Sequence, residues 1–508
     1  MIKFALKGGE SAAPSEPVQE EHIAPVPRIS IQAFCASPET AAAMQAASED
    51  RRMTKAHLKV QMGGIAAATE AYRASATPNV VIIESDGHGD ELLNGLDTLA
   101  EVCDAGTRVI AVGHLNDILL YREMVRRGVS DYLIAPVGPV DLIRAISGLF
   151  YAADAKPVGR TLAVVGAKGG VGASTVAHNI AWAIARDVHL DAVVADLDLP
   201  FGTAGLDFNQ DPPQGIADAV MSPDRIDTAF VDRLLSKCTD HLSLLAAPAT
   251  LDRVYDFGTE AFDSIFDVLR SSVPCIVLDV PHVWTGWAKR TLIGADDILI
   301  VAAPDLANLR NTKNLIDLLK ASRPNDSRPQ YCLNTVGVPK RPEIKAGDFA
   351  KALEFEPLAS IPFEPQLFGT AANNGQMIAE VSSGHRAAET CRSLAQTLTG
   401  RAEAKRARSS LSPRCSKSSG ASSRSARRQA CSESVPHRVL TCAARRLRRR
   451  RSRHARPRRP QALTWGWRRL SRRDSARRSP RRRFPLRMAL SRSSPPRATT
   501  AGRKPITR

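Results

Sequence analysis

The segment Ala167-Lys168-Gly169-Gly170-Val171-Gly172-Ala173-Ser174-Thr175 admits few folds. Three glycines within four positions can wrap an anion with backbone N–H groups only if a strand delivers them and a helix carries the chain away. The flanks meet that demand. Residues 162–165 form an apolar, β-branched run that reads as a buried strand. From Ser174 onward, Val176, Ala177, Ile180 and Ala181 follow a helical spacing. Ser174 then stands at the helix start, where a hydroxyl would ligate Mg²⁺. The plain alternative is a glycine-rich turn that holds nothing.

The rest of the chain repeats the strand–helix rhythm. Short apolar runs at 192–195, 242–246, 275–278, 298–302 and 330–333 each precede turn residues and a helical pattern, as at 308–321. Strands this apolar fit a parallel sheet covered on both faces. A smaller unit precedes it, with runs at 29–34, 80–83, 109–112 and 132–134 separated by helical patterns. The expected organisation is a disordered leader (1–27), a first α/β domain (28–153), a linker (154–160) carrying Pro157 and Gly159, a nucleotide-binding α/β domain (161–400), and a disordered Arg/Ser-rich tail (401–508).

Charge divides the chain the same way. Residues 401–508 carry 35 Lys/Arg against Glu403, Glu433 and Asp474, whereas residues 1–400 carry 35 Lys/Arg against 49 acids. The net +18 therefore belongs to the tail, and the body is mildly acidic. Nine cysteines occur without a CxxC pair, which suits a reduced, cytoplasmic protein and disfavours an iron–sulfur ATPase. No run of about 18 apolar residues is present, so no membrane-spanning helix is expected.

The loop resembles the deviant Walker A motif of the MinD/ParA superfamily, whose signature lysine corresponds to Lys168. The resemblance implies ATP and Mg²⁺ as cofactors and a homodimer in which Lys168 reaches the partner's phosphates. Gly169, Gly170, Val171, Gly172, Ala173, Ser174 and Thr175 would line the nucleotide. Two departures stand out. Ala167 replaces the first glycine, and Ala173 replaces the ordinary P-loop lysine, which removes a charge-assisted phosphate contact and implies weak or absent hydrolysis. In the same resemblance, Asp198 would orient the attacking water, Asp196 would help to hold the metal shell, and Asp279 would be the carboxylate near Mg²⁺. A bland N-cap or loop role is the alternative for each aspartate. Asn334 matches the base-contacting position, with an ordinary turn residue as its alternative. Pro362, in Ile361-Pro362-Phe363-Glu364, matches the segment beside the adenine, and Asn373-Asn374-Gly375 reads as a turn on that rim.

Ala173, taken with the stretches 196–207 and 211–216, is similar to the CpaE/TadZ branch, the Flp/Tad pilus-assembly proteins. That implies partners among secretion ATPases and polar scaffold proteins, a place at the cell pole or the inner face of the cytoplasmic membrane, and peripheral membrane association. The first domain resembles a flavodoxin-type response-regulator receiver stripped of its chemistry. Glu84 occupies the phosphoacceptor position, Ala36-Ser37 the acidic pair, Gly113 the Thr/Ser position and Ala135 the lysine. It reads as a pseudo-receiver that keeps a docking surface; Glu84 as a mimic of phosphoaspartate is the lesser reading. For the tail, nucleic-acid or lipid binding, a solvated extension and a shifted reading frame compete, and its abrupt Arg/Ser/Pro/Ala composition favours the shifted frame. The functional rivals are a hydrolysing partitioning or positioning ATPase and a nucleic-acid binder acting through the tail.

Overall fold

A computed structural model describes residues 22–401 except His88, residues 152–157, Ala249 and Asp252. The tail, most of the leader and most of the linker lie outside the described residues. Among the described residues, thirteen strands form two sheets. The first holds β1 (Ser30–Cys35), β2 (His57–Met62), β3 (Val80–Glu84), β4 (Arg108–Gly113) and β5 (Asp131–Ile134). All are parallel, in the order β2-β1-β3-β4-β5. This is the flavodoxin-type doubly wound order, whose switch point falls between β1 and β3.

The second sheet comprises β6 (Arg160–Gly166), β7 (Ala192–Asp196), β8 (Ser236–Lys237), β9 (Leu242–Leu245), β10 (Cys275–Val280), β11 (Asp297–Ala302), β12 (Gln330–Val336) and β13 (Ala359–Pro362). Its order is β13-β12-β11-β6-β10-β7-β9-β8, parallel except for β8. β6, β7 and β10 are central because Leu162, Val164, Val193, Val194, Val277 and Leu278 are buried on alternating faces. Helices cover both faces, so the side chains of the central strands face a core rather than water. The loop strand β6 lies between β10 and β11, which brings the ends of all three strands together.

Residues 22–27 correct the expected leader. Ile23 and Val26 are buried in the first domain's core, and the Val26 N–H donates to the Arg52 carbonyl at 2.8 Å. Strands β2, β8 and β13 were not expected. Asn373 and Asn374 belong to the last turn of the helix Pro365–Asn374, and only Gly375, at φ 62°, forms the turn.

A buried charge network joins the two sheets' domains. Arg51 Nε lies 2.6 Å from Asp326 and its NH1 lies 3.2 Å from Asp296, while Arg52 also pairs with Asp326. Asn325 donates to Asp50 at 2.9 Å, and at the exposed margin of the network Lys55 pairs with Asp267. Asp296 in turn accepts from Thr161 N at 2.9 Å and pairs with Arg270 at 2.8 Å. Burial would raise the Asp296 pKa, but Arg270, His22 and Arg51 hold it well below the ordinary carboxylate range.

Candidate nucleotide site

The loop after β6 ends at Gly172, which caps the helix Ala173–Arg186 without any side-chain hydrogen bond. The first-turn N–H groups are therefore left for an external anion. Gly170 and Gly172 adopt φ of 78° and 82°, a region that favours glycine. Three distant side chains set the loop's shape. His282 Nδ1 meets the Gly166 carbonyl at 2.8 Å, Asn311 donates to the Ala167 carbonyl at 2.8 Å, and Asn334 donates to the Val171 carbonyl at 2.8 Å. Carbonyls engaged in this way are not free to face a phosphate. Lys168, Gly169 and Gly170 are exposed, whereas Ala173, Ser174 and Thr175 are half-buried in the helix's first turn. The charge of Lys168 is felt at Asp305, the N-cap of the helix Leu306–Ser322.

The aspartates divide by role. Asp196 is fully buried at the end of β7, and its two oxygens accept the N–H groups of Asp198 and Ala204, each at 3.1 Å. Through these bonds Asp196 anchors the loop that follows its strand. Burial and the neighbouring Asp279 raise its pKa, against the influence of His178. Asp198 is half-buried, accepts from Phe201 N at 3.2 Å, and has its pKa raised by burial. Asp279 lies in register with Asp196 on the adjacent strand and is 3% exposed. Its Oδ2 is 3.3 Å from Nε2 of the buried His178, whose Nδ1 meets Asp207 at 2.7 Å.

Asn334 lies on β12 beside the loop. A register shift of β12 against β13 puts Thr335 at φ 54°, and the Thr335 N–H donates to Asn334 Oδ1 at 2.8 Å. Both ends of the Asn334 amide are thus engaged within the chain. Pro362 ends the neighbouring edge strand and pairs with Val336. His282, Asn311, His178 and Asp207 escaped the sequence reading; only His282, just beyond a strand end, occupied a position that could have signalled a role.

These residues fit a nucleotide with its metal. The loop offers N–H groups, its carbonyls are engaged elsewhere, and Asp279 ends a central strand. Mg²⁺ needs only one or two protein ligands when phosphates supply others. Among the described residues, the grouping of three potential ligand side chains is Glu84, Asp86 and His114, at the first sheet's switch point. There Glu84 is already committed. Its carboxylate accepts from Ala36 N (2.7 Å), Ser37 N (2.9 Å), Ser37 Oγ (2.7 Å) and Thr40 Oγ1 (2.7 Å). Burial opposes ionisation, yet the hydrogen bonds from Ser37, Thr40 and Ala36 bring its pKa below the ordinary value. At Gly113 a Cβ would fall 2.6 Å from Tyr132 Oη, so the tyrosine fills that position. Ala135 provides no cation.

No protein-family model matches the chain. The chain is 28% identical over 163 residues to the septum site-determining protein MinD of Synechocystis, covering 32% of this chain and 60% of that protein. Among solved structures, a ParA family ATPase from Chlorobium tepidum is 24% identical, with 47% of this chain and 98% of that chain covered at a TM-score of 0.43. The pilus assembly protein CpaE from Caulobacter crescentus is 50% identical, with 25% of this chain and 98% of that one covered at a TM-score of 0.25. On that sequence identity, spanning nearly the whole of the CpaE structure, the chain belongs to the CpaE/TadZ family of pilus assembly proteins.

Proposed function

We propose that this protein is a nucleotide-dependent dimeric assembly factor for pilus machinery that binds ATP–Mg²⁺ with little or no turnover. The observation that carries this reading is a phosphate loop shaped for an anion, with Ala173 where a hydrolytic site places its lysine. The loop N–H groups from Gly169 to Thr175 surround the phosphates. The Ser174 hydroxyl and Asp279 hold the metal, which neutralises phosphate charge when bound. Lys168, exposed at the loop's crest, extends to the phosphates of a second copy. Asp198, held by Phe201, orients water poorly supported by cations, so nucleotide acts as an assembly cofactor. Pro362 borders the base.

The first domain acts as a pseudo-receiver. Its Glu84 carboxylate is internally satisfied, so it docks on a secretion ATPase or polar scaffold without phosphorylation. No helix among the described residues is long and apolar enough to cross a membrane. We place the protein at the inner membrane face or cell pole through such partners. Sedimentation of the full chain with and without ATP, beside Lys168→Ala, tests the reading. ATP should dimerise the wild type and not the variant; equal dimerisation of both removes the cross-subunit role of Lys168. Phosphate release at the rate of lysine-containing relatives would favour a cycling partitioning ATPase instead.

A further inference from the structure

His178 has no part in the function proposed so far, yet it lies at the centre of the site's buried charge. It projects from the phosphate-loop helix, five residues beyond Ala173, and is fully buried. Its Nδ1 is 2.7 Å from Asp207 Oδ2, in the short helix Ala204–Asp207 that follows the Asp198 loop. Its Nε2 is 3.3 Å from Asp279 Oδ2, close enough for an ion pair though without hydrogen-bond alignment. The ring also packs on Phe208 at 5.4 Å between centroids. Three segments therefore meet on one imidazole: the loop helix, the segment after β7 and the end of β10. Ordinarily a buried carboxylate such as Asp279 is neutralised by a cation or a metal.

We infer that His178 is a positioning residue that holds Asp279 and the Asp207 helix in place before nucleotide arrives, and that its Nε2, 3.3 Å from one oxygen of Asp279, keeps a divalent ion from that oxygen so that the ion meets only the other. This rests on the proposed reading of Asp279 as a metal ligand. The arrangement has two consequences. The site is closed around its own carboxylates without metal, and its affinity for a free divalent ion is held down.

The experiment uses the full chain and Mn²⁺ alone, with binding followed by electron paramagnetic resonance. His178→Asn keeps an amide near the Nδ1 position, within reach of Asp207, and withdraws the group facing Asp279. The variant should bind Mn²⁺ about tenfold more tightly, the scale of one withdrawn contact to a charged group. Unchanged or weaker Mn²⁺ binding by a folded variant overturns the inference. Hydrogen exchange of the wild type provides a second reading that needs no variant. Amides from Asp198 to Phe208 should be equally protected with and without Mn²⁺, and protection that appears only with Mn²⁺ also overturns it. Failure of the wild type to bind both Mn²⁺ and Mn²⁺–ADP would instead overturn the nucleotide-site reading, and this inference with it.

Discussion

Replacing Gly172 by alanine should damage the phosphate loop through two separable effects. The first is backbone strain: φ at this position is 82°, and an L-residue held in the left-handed region costs about 1–2 kcal/mol. The second is steric, because the new Cβ would fall 2.7 Å from Asn334 Nδ2. The amide must move, which breaks its 2.8 Å bond to the buried Val171 carbonyl. Leaving that carbonyl unpaired costs about 1–3 kcal/mol. The total is therefore about 2–5 kcal/mol, much of it local to the loop. If the lower figure falls wholly on the binding conformation, nucleotide affinity drops about thirtyfold. Denaturant unfolding and titration with a fluorescent ATP analogue should be run on Gly172→Ala, Asn334→Ala and the double variant. The double variant should lose less than the sum of the singles, since without the Asn334 amide only the strain remains. An additive cycle, or a Gly172→Ala protein that binds nucleotide like the wild type, would refute the claim that Asn334 shapes the loop.

Ala173→Lys should tighten ATP binding and raise phosphate release, as read by a coupled phosphate assay; no gain in either would show that the loop geometry, and not the missing cation, limits turnover. Asp326→Asn should cost about 3 kcal/mol in urea unfolding, because the buried Arg51, Arg52 and Arg323 all lose a partner. A loss below about 1 kcal/mol would mean that the charge network contributes little. Asp296 has its pKa depressed in the fold, so its contribution to stability is complete above the ordinary aspartate pKa of about 4 and disappears as pH falls through the lower folded value. Stability measured by circular dichroism from pH 5 to pH 3 should fall more steeply in the wild type than in Asp296→Asn, and parallel profiles would exclude this group as the source.

Much of the fold was legible because burial leaves a local signature. The central strands β3, β6, β7, β10 and β11 are runs of small or branched apolar residues, and each appeared in the sequence within a residue or two of its observed limits. The strand β2 did not, since His57-Leu-Lys-Val-Gln-Met62 sits at a sheet edge and leaves its polar side chains exposed. The two-residue β8 and the edge strand β13 left equally little trace. In the site, the glycines and strand-end aspartates were readable because backbone shape and strand position demand them. The braces were not: His282, Asn311 and Asn334 meet the loop across 116, 144 and 163 positions, and such contacts depend on the finished topology. The resemblance gives Asp196 a place in the metal shell, and only the finished fold adds the two backbone donors that make it an anchor. At Glu84 the sequence suggests a degenerate phosphoacceptor position, but the four donors that satisfy the carboxylate are not legible there.

The bond from Asn311 to the loop gives the molecule a lever. Asn311 rides on the helix Leu306–Ser322, whose first residue, Leu306, is exposed at 74%. Sliding that helix by about 1 Å would stretch the 2.8 Å bond to Ala167 beyond hydrogen-bond range. The released carbonyl could then turn its negative end toward the phosphates. A protein that grips only the outside of this helix, and never touches nucleotide, could thus eject it. Such a partner would be known by speeding nucleotide release from the wild type while leaving release from Asn311→Ala, in which the lever is already cut, unchanged.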